Sequence, residues 1–361
     1  MIIVHAIWGM PRTSGVSTFC AEVAAEQARL GHRVIILNDH DDRCPVDPSV
    51  ERITGASMDM VNVRPDVVHV HAFWSMFAVR VMRWCRRHHV PYVVSPHGGL
   101  MPRVFTVGRF KKKMFWLLAL RPLLNCACRI HCTGESEVAV CRDLRLESPC
   151  FIAPLGVRMP RADMSEHIDC GKRMILFLGR LSEEKGLIML LDAWKQIGRA
   201  NVSAPMTSQG ALQLVLAGPD WRNYRAKLEA KIVAEKINDV VFVGSADEEK
   251  KHRLYREADV FVLPSPMENF SMVVLEALAH GVPVIATKGT PWQVLEQERC
   301  GWWIDATVDS LKSALMQALS LSDLDFKGMG VRAKSLVADR FQWICVAERV
   351  LAAYLGNNQS V

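Results

Sequence analysis

The sequence predicts an α/β protein built from two doubly wound domains, and three observations carry that expectation. The chain has 361 residues, twice or more the usual size of one domain. Short runs rich in Val and Ile alternate with helical stretches, as parallel strands covered on both faces require. That rhythm stops at a polar stretch, residues 161–173, and then starts again. Half of the residues are hydrophobic and 23% are charged, which is too apolar for a disordered chain. The net charge of +6 is too diluted to imply nucleic acid.

The elements follow in order. Residues 2–8 (IIVHAIW) read as a first strand, 17–30 have helical periodicity, and Gly31 stops that helix ahead of a strand at 33–37. Further strands are expected at 67–71, 92–95 and 129–132, with helices near 76–88 and 110–124. Past the polar stretch come strand 174–178, helix 187–197, strand 212–217, helix 224–236 and strand 240–243. Strand 260–263, helix 272–280 and strand 284–286 complete the pattern. Domains are therefore expected at 1–160 and 161–339, with 161–173 as the linker and 200–210 as a surface loop. Ligands of such sheets sit outside the carboxyl ends of the strands, so a cleft faced by both sheets is the expected site.

Several chemistries find no support. No G-x-G-x-x-G follows the first strand, and neither a P-loop sequence nor an H-E-x-x-H pair occurs, which removes dinucleotide, P-loop and zincin readings. The apolar stretch 114–124 is interrupted by Arg121 and Pro122 and is too short to cross a bilayer. No basic region precedes the apolar run at the start, so a cytoplasmic protein is expected. Among eleven cysteines, Cys126, Cys128 and Cys132 are closely spaced, yet no C-x-x-C pair exists. Reduced, mostly buried thiols are expected rather than a metal site.

The informative segment is 264–287, PSPMENFSMVVLEALAHGVPVIAT. Glu268 falls in a loop directly after strand 260–263, and Glu276 lies on a helix that opens near Ser271. A helix N-terminus at the carboxyl end of a strand presents free N–H groups to an anion such as a diphosphate. Carboxylates on either side of it accept hydrogen bonds from hydroxyls. Two surface glutamates at a helix start are the competing explanation.

This segment resembles the E-x7-E region of retaining glycosyltransferases of family 4, which have the GT-B fold. Residues 174–186 (MILFLGRLSEEKG), 212–220 (LQLVLAGPD) and 258–265 (ADVFVLPS) match that family in order and spacing. The resemblance implies two Rossmann-like domains facing across a cleft, the acceptor side first and the nucleotide-sugar side second. It also implies that the final helix, within 340–361, returns to pack on the first domain. The implied donor site comprises Gly15, Arg180, Lys185, Glu268, Asn269, Phe270, Ser271, Met272 and Glu276. Arg180 and Lys185 would hold the diphosphate, Glu276 the ribose hydroxyls and Glu268 the transferred sugar. Asn269 and Ser271 stand where the family usually has glycines, and Gly15 alone remains of a usual pair. His97, in SPHGGLMP, resembles the active-site histidine near the sugar and leaving group; a histidine capping a strand end is the alternative. His71, Trp74 and Arg103 would edge the acceptor side, whereas His69 reads as structural.

The implied activity is transfer of a hexosyl unit from a UDP- or GDP-hexose to a glycan or lipid-linked acceptor, with retention and with neither metal nor other cofactor. A non-transferring enzyme of the same fold, such as an epimerase, and a non-catalytic nucleotide-sugar-binding subunit are the alternatives. Arg80, Arg83, Arg86, Arg87, Arg109, Lys111, Lys112 and Lys113 suit peripheral contact with anionic lipid at the inner face of the cell membrane. A solvated face accounts for them equally well. Nucleic acid is not an expected partner, because these residues lack any binding motif.

Overall fold

The computed structural model describes residues 1–361 except 12–13, 41–43, 56, 106–108, 162–166, 200–211, 269 and 357–361. The chain divides into two compact units, Met1–Gly156 with Trp343–Val361, and Val157–Gln342.

The first unit contains β1 (Ile2–Ile7), β2 (Arg33–Asn38), β3 (Glu51–Thr54), β4 (Val67–His71), β5 (Tyr92–Ser95), β6 (Arg129–Cys132) and β7 (Cys150–Ile152). They form a parallel sheet in the order β3-β2-β1-β4-β5-β6-β7. Its helices are α1 (Gly15–Arg29), α2 (Met76–Arg87), α3 (Arg109–Phe115), α4 (Arg121–Leu124) and α5 (Glu135–Asp143). Strands β4 and β5 are buried along their whole length, so even the two histidines of β4 (VVHVH) lie inside the unit.

The second unit contains β8 (Arg173–Leu178), β9 (Leu212–Ala217), β10 (Val240–Gly244), β11 (Val260–Leu263), β12 (Val284–Thr287) and β13 (Gly301–Ile304). The order is β10-β9-β8-β11-β12-β13, again parallel. Helices α6 (Leu187–Arg199), α7 (Tyr224–Glu235), α8 (Glu248–Glu257), α9 (Met272–Ala279), α10 (Val294–Gln297), α11 (Val308–Leu319) and α12 (Asp323–Arg340) surround it.

The last helix, α13 (Trp343–Tyr354), belongs to the first unit. Trp343, Val346, Ala347 and Val350 share one buried cluster with Phe19 and Val23 of α1. Gly156 leaves room for this packing, since a Cβ there would lie 2.5 Å from the Trp343 ring.

Several boundaries differ from the sequence expectation. The passage between units falls at Gly156, ahead of the polar stretch, because the Val157 N–H donates to the Phe341 carbonyl at 2.8 Å. The returning helix starts at Trp343 rather than at 340. Arg340 ends α12, and Phe341 packs against Trp292 of the second unit with ring centroids 5.8 Å apart. The single helix expected at 110–124 is α3, a π-helical turn (Trp116–Leu120) and α4. Pro122 supplies no N–H and its ring crowds the carbonyl four residues back, so the turn before it widens. The loop expected at 200–210 lies outside the described residues. All eleven cysteines are free, and Cys132 stands beside Cys141 and Cys150, while Cys126 and Cys128 are exposed. Among the described residues no helix is long and apolar enough to cross a membrane.

Candidate active site

Each sheet reverses its strand order once, between β1 and β4 in the first unit and between β8 and β11 in the second. In doubly wound sheets ligands bind outside the carboxyl ends of the strands at that point. The candidate residues follow these strands and, for His97 and Arg103, the neighbouring β5.

In the second unit, β8 leads into the loop bearing Arg180 and Lys185, and β11 into the loop bearing Glu268. Gly186 lets the two loops close up: it has φ +69, and a Cβ on it would lie 2.2 Å from the Pro264 carbonyl oxygen. Lys185 thereby reaches Glu268, and the part-buried side chains form an ion pair. An ammonium has three N–H donors, so Lys185 keeps capacity for a second anion. Arg180 is half exposed, pairs with Glu184 at 3.3 Å and stacks on Trp221 at 4.8 Å. A surface pair of this kind is weak and yields readily to a ligand.

Helix α9 opens at Met272 behind Ser271, whose φ is +78. That backbone region favours glycine, and an L side chain there costs on the order of 1 kcal/mol. The local shape that a glycine would adopt freely is thus present with a serine in place. Ser271 makes no side-chain capping bond, so it leaves the first-turn N–H groups of α9 to other partners. Phe270 is buried and its carbonyl accepts the Trp292 Nε1–H at 2.6 Å, a scaffold contact. Asn269 lies outside the described residues. Glu276 projects from α9, accepting from Lys251 Nζ at 3.1 Å and from the Tyr255 hydroxyl at 2.9 Å. A carboxylate offers about four lone-pair sites, so it retains capacity for hydroxyls.

In the first unit a cavity of about 540 Å³ opens where β1, β4 and β5 end, lined in part by Trp8, Ser14, Trp74 and His97. His97 has φ +48 and Ala72 φ +53, backbone strain of the kind that collects at functional sites. The loop after His97 is held by Glu137 of α5. Its buried carboxylate accepts from the Gly98 N–H, from the Thr133 N–H at 2.7 Å and from the Thr133 hydroxyl at 2.9 Å. Sequence reasoning missed Glu137; an acidic residue in the first turn of a helix was its available signal.

Other candidates divide. Gly15 is the exposed first residue of α1, and a Cβ on it would meet nothing within 4 Å, so the protein itself does not demand glycine there. Trp74 lines the cavity and donates its Nε1–H to the Gly99 carbonyl at 2.6 Å. Arg103 falls in a short 3-10 helix, Pro102–Phe105, and its side chain lies outside the described residues. His71 corrects the expectation: it is 1% exposed and both ring nitrogens are engaged, so it cannot edge an acceptor site. It stands behind His97 because β4 is covered on both faces. Burial pushes His97 down to about 3 and His5 down to about 4, and it holds His71 well below the usual histidine range. These rings are neutral at physiological pH. His5, His71 and Cys20 approach closely enough to share an ion, but His5 Nδ1 and His71 Nε2 already share a hydrogen bond of 2.9 Å and burial raises the Cys20 thiol.

The family described as glycosyl transferases group 1 matches residues 161–327, and the glycosyl transferase 4-like domain matches 59–154. The chain belongs to the group 1 glycosyltransferases. A lipopolysaccharide 1,2-N-acetylglucosaminetransferase of Salmonella typhimurium is 28% identical over 55% of this chain and 53% of its own length. The chain thus spans about half the length of that relative. A GDP-mannose:cellobiosyl-diphosphopolyprenol alpha-mannosyltransferase of Xanthomonas campestris is 26% identical, over 90% of this chain and 80% of the relative. Among solved structures, Anabaena HepE in complex with UDP aligns with a TM-score of 0.73 at 16% identity, covering 99% of this chain and 100% of that one. At that identity the likeness speaks for the fold alone, which is GT-B.

One more surface of the first unit stands out. Lys112 turns inward, its Nζ donating to the Val104 carbonyl at 2.9 Å above the Trp74 ring, whereas Lys111 and Lys113 are exposed. The three lysines therefore do not act as one charged patch. Beside the outer two, Met114, Leu117 and Leu118 are 42%, 43% and 71% exposed. Trp116, Leu120, Leu123 and Leu124 are buried on the opposite side, so this helical stretch is apolar on both faces.

Proposed function

We propose that this chain is a retaining, metal-independent hexosyltransferase that draws on a UDP- or GDP-hexose. Its acceptor is a hydroxyl of a glycan or lipid-linked precursor of a surface polysaccharide. The observation that carries this reading is the grouping at the switch point of the second sheet. Arg180, Lys185 and the α9 N-terminus suit a diphosphate, while Glu268 and Glu276 suit sugar and ribose hydroxyls.

In the proposed step the C1–O bond to the diphosphate breaks as the acceptor oxygen bonds to C1 on the same face. The acceptor proton passes to the departing phosphate oxygen, so no side-chain general base is required. Arg180 and Lys185 offset the charge that develops on the diphosphate, a role that a metal ion fills in other enzymes. Met272 and its neighbours add N–H dipoles, and neutral His97 accepts a hydrogen bond from a hydroxyl in the first-unit cavity. The names of the Salmonella and Xanthomonas relatives support an acceptor of the lipopolysaccharide or diphosphopolyprenol class.

Turnover with a panel of UDP- and GDP-hexoses tests the reading, after thermal shift selects the nucleotide that raises Tm. The product should keep the donor's anomeric configuration, and turnover should persist in EDTA. An inverted product would remove retention, and loss of turnover in EDTA would remove metal independence.

We further propose peripheral binding at the cytoplasmic membrane face through Lys111, Lys113, Met114, Leu117 and Leu118. Replacing Leu117 and Leu118 with Asp should cut co-sedimentation with anionic vesicles, and Lys111→Glu with Lys113→Glu should do so mainly at low salt. Equal pelleting of all three proteins sinks the idea.

A further inference from the structure

Behind His97 the first unit buries four more histidines, His5, His69, His71 and His131, none more than 1% exposed. Burial lowers the basicity of every one of them. A neutral imidazole has one N–H and one lone pair, so each hydrogen bond it makes dictates the sense of the next.

One chain of bonds starts at the backbone. The Ala153 carbonyl only accepts, so His131 Nε2, 2.7 Å away, carries the proton. His131 Nδ1 is then an acceptor, and the Ser95 hydroxyl donates to it at 2.6 Å. Ser95 Oγ in turn accepts from His69 Nε2 at 2.5 Å. His69 Nδ1 is left to accept from the Tyr354 hydroxyl at 2.6 Å. The Tyr354 proton is therefore committed, and its oxygen shows only lone pairs to other neighbours.

Gln27 sits against that oxygen. Turning the amide oxygen towards it would oppose lone pairs in a buried site, so the amide nitrogen faces Tyr354, short of a full hydrogen bond. Gln27 Oε1 then faces His5 and accepts from His5 Nε2 at 2.8 Å. His5 Nδ1 accepts from His71 Nε2 at 2.9 Å, and His71 Nδ1 accepts from His97 Nε2 at 3.1 Å. His97 Nδ1 keeps its lone pair, with no partner among the described residues, and the ring lines the cavity.

We propose that Gln27 and His5 are positioning residues which, through His71, hold His97 in the Nε2–H tautomer, so that the cavity presents a hydrogen-bond acceptor and selects a ligand hydroxyl as the donor. That the hydroxyl belongs to a sugar rests on the function proposed above; the tautomer does not.

Long-range 15N–1H spectra of the ligand-free, 15N-histidine-labelled protein report the tautomer of each ring. The His97 signals, assigned by their loss in His97→Ala, should show a protonated Nε2 and a bare Nδ1. A His97 ring protonated at Nδ1 overturns the proposal, and this needs no variant of the relay to fold. In Gln27→Met, close in volume but without the amide, the His97 tautomers should mix. An unchanged His97 spectrum in folded Gln27→Met also overturns it. With the donor sugar, Gln27→Met should lower kcat/KM by ~10-fold, the size of one net hydrogen bond. A shifted tautomer with unchanged kcat/KM overturns the hydroxyl selection while the donor-site assignments in the second unit stand.

Discussion

Lys185→Ala lowers kcat/KM at least ~100-fold, the scale for losing one preorganised charge contact in a transition state. The loss is compounded by what stays behind. Lys185 pairs with Glu268 in a part-buried setting, so removing the ammonium leaves an unpaired carboxylate next to an incoming diphosphate. Arg180→Ala acts in the same direction with a smaller effect, since the guanidinium is half exposed and already shared with Glu184 and Trp221. Steady-state kinetics on the two variants, with folding checked by circular dichroism, decides the matter. Near-wild-type turnover in both removes these residues from the donor site.

Deleting Trp343–Val361 unfolds the first unit. Burial of Trp343, Val346, Val350 and Leu351 is worth ~1.5–3 kcal/mol each, together on the order of 8 kcal/mol. That matches the whole stability of an ordinary domain. The truncation also removes Tyr354, the hydroxyl that donates to buried His69. Hydrogen exchange reads the outcome by segment. Amides of α1, β1 and β4 should lose protection while those of β8, β9 and β11 keep it, and full protection in α1 would show that the helix does no structural work there.

Legibility in the sequence followed burial. The central strands β1, β4, β5, β8 and β11 were readable because helices cover both of their faces, which favours runs rich in Val, Ile and Leu. Strands β3, β7 and β13 were not placed. All three lie at sheet edges, are only half buried and have four residues or fewer. Arg180, Lys185, Glu268 and Glu276 were named through the family resemblance; the first three lie in the loops that follow β8 and β11, and Glu276 lies on α9. His71 was misjudged as an edge residue: the end of a strand is visible in the sequence, but the side chains stacked over it are not.

The sequence by itself determined that the protein is two doubly wound units and which loops leave the carboxyl ends of their central strands. Continuous burial is a local property, written residue by residue into the chain. Only the tertiary structure decided which polar side chains meet. His71 bonds to His5 across 66 residues, Glu137 to Gly98 across 39, and Gln27 to His5 across 22. Hydrophobic periodicity reports the environment of a residue's own turn or strand, so it holds no record of a partner brought in from that far along the chain.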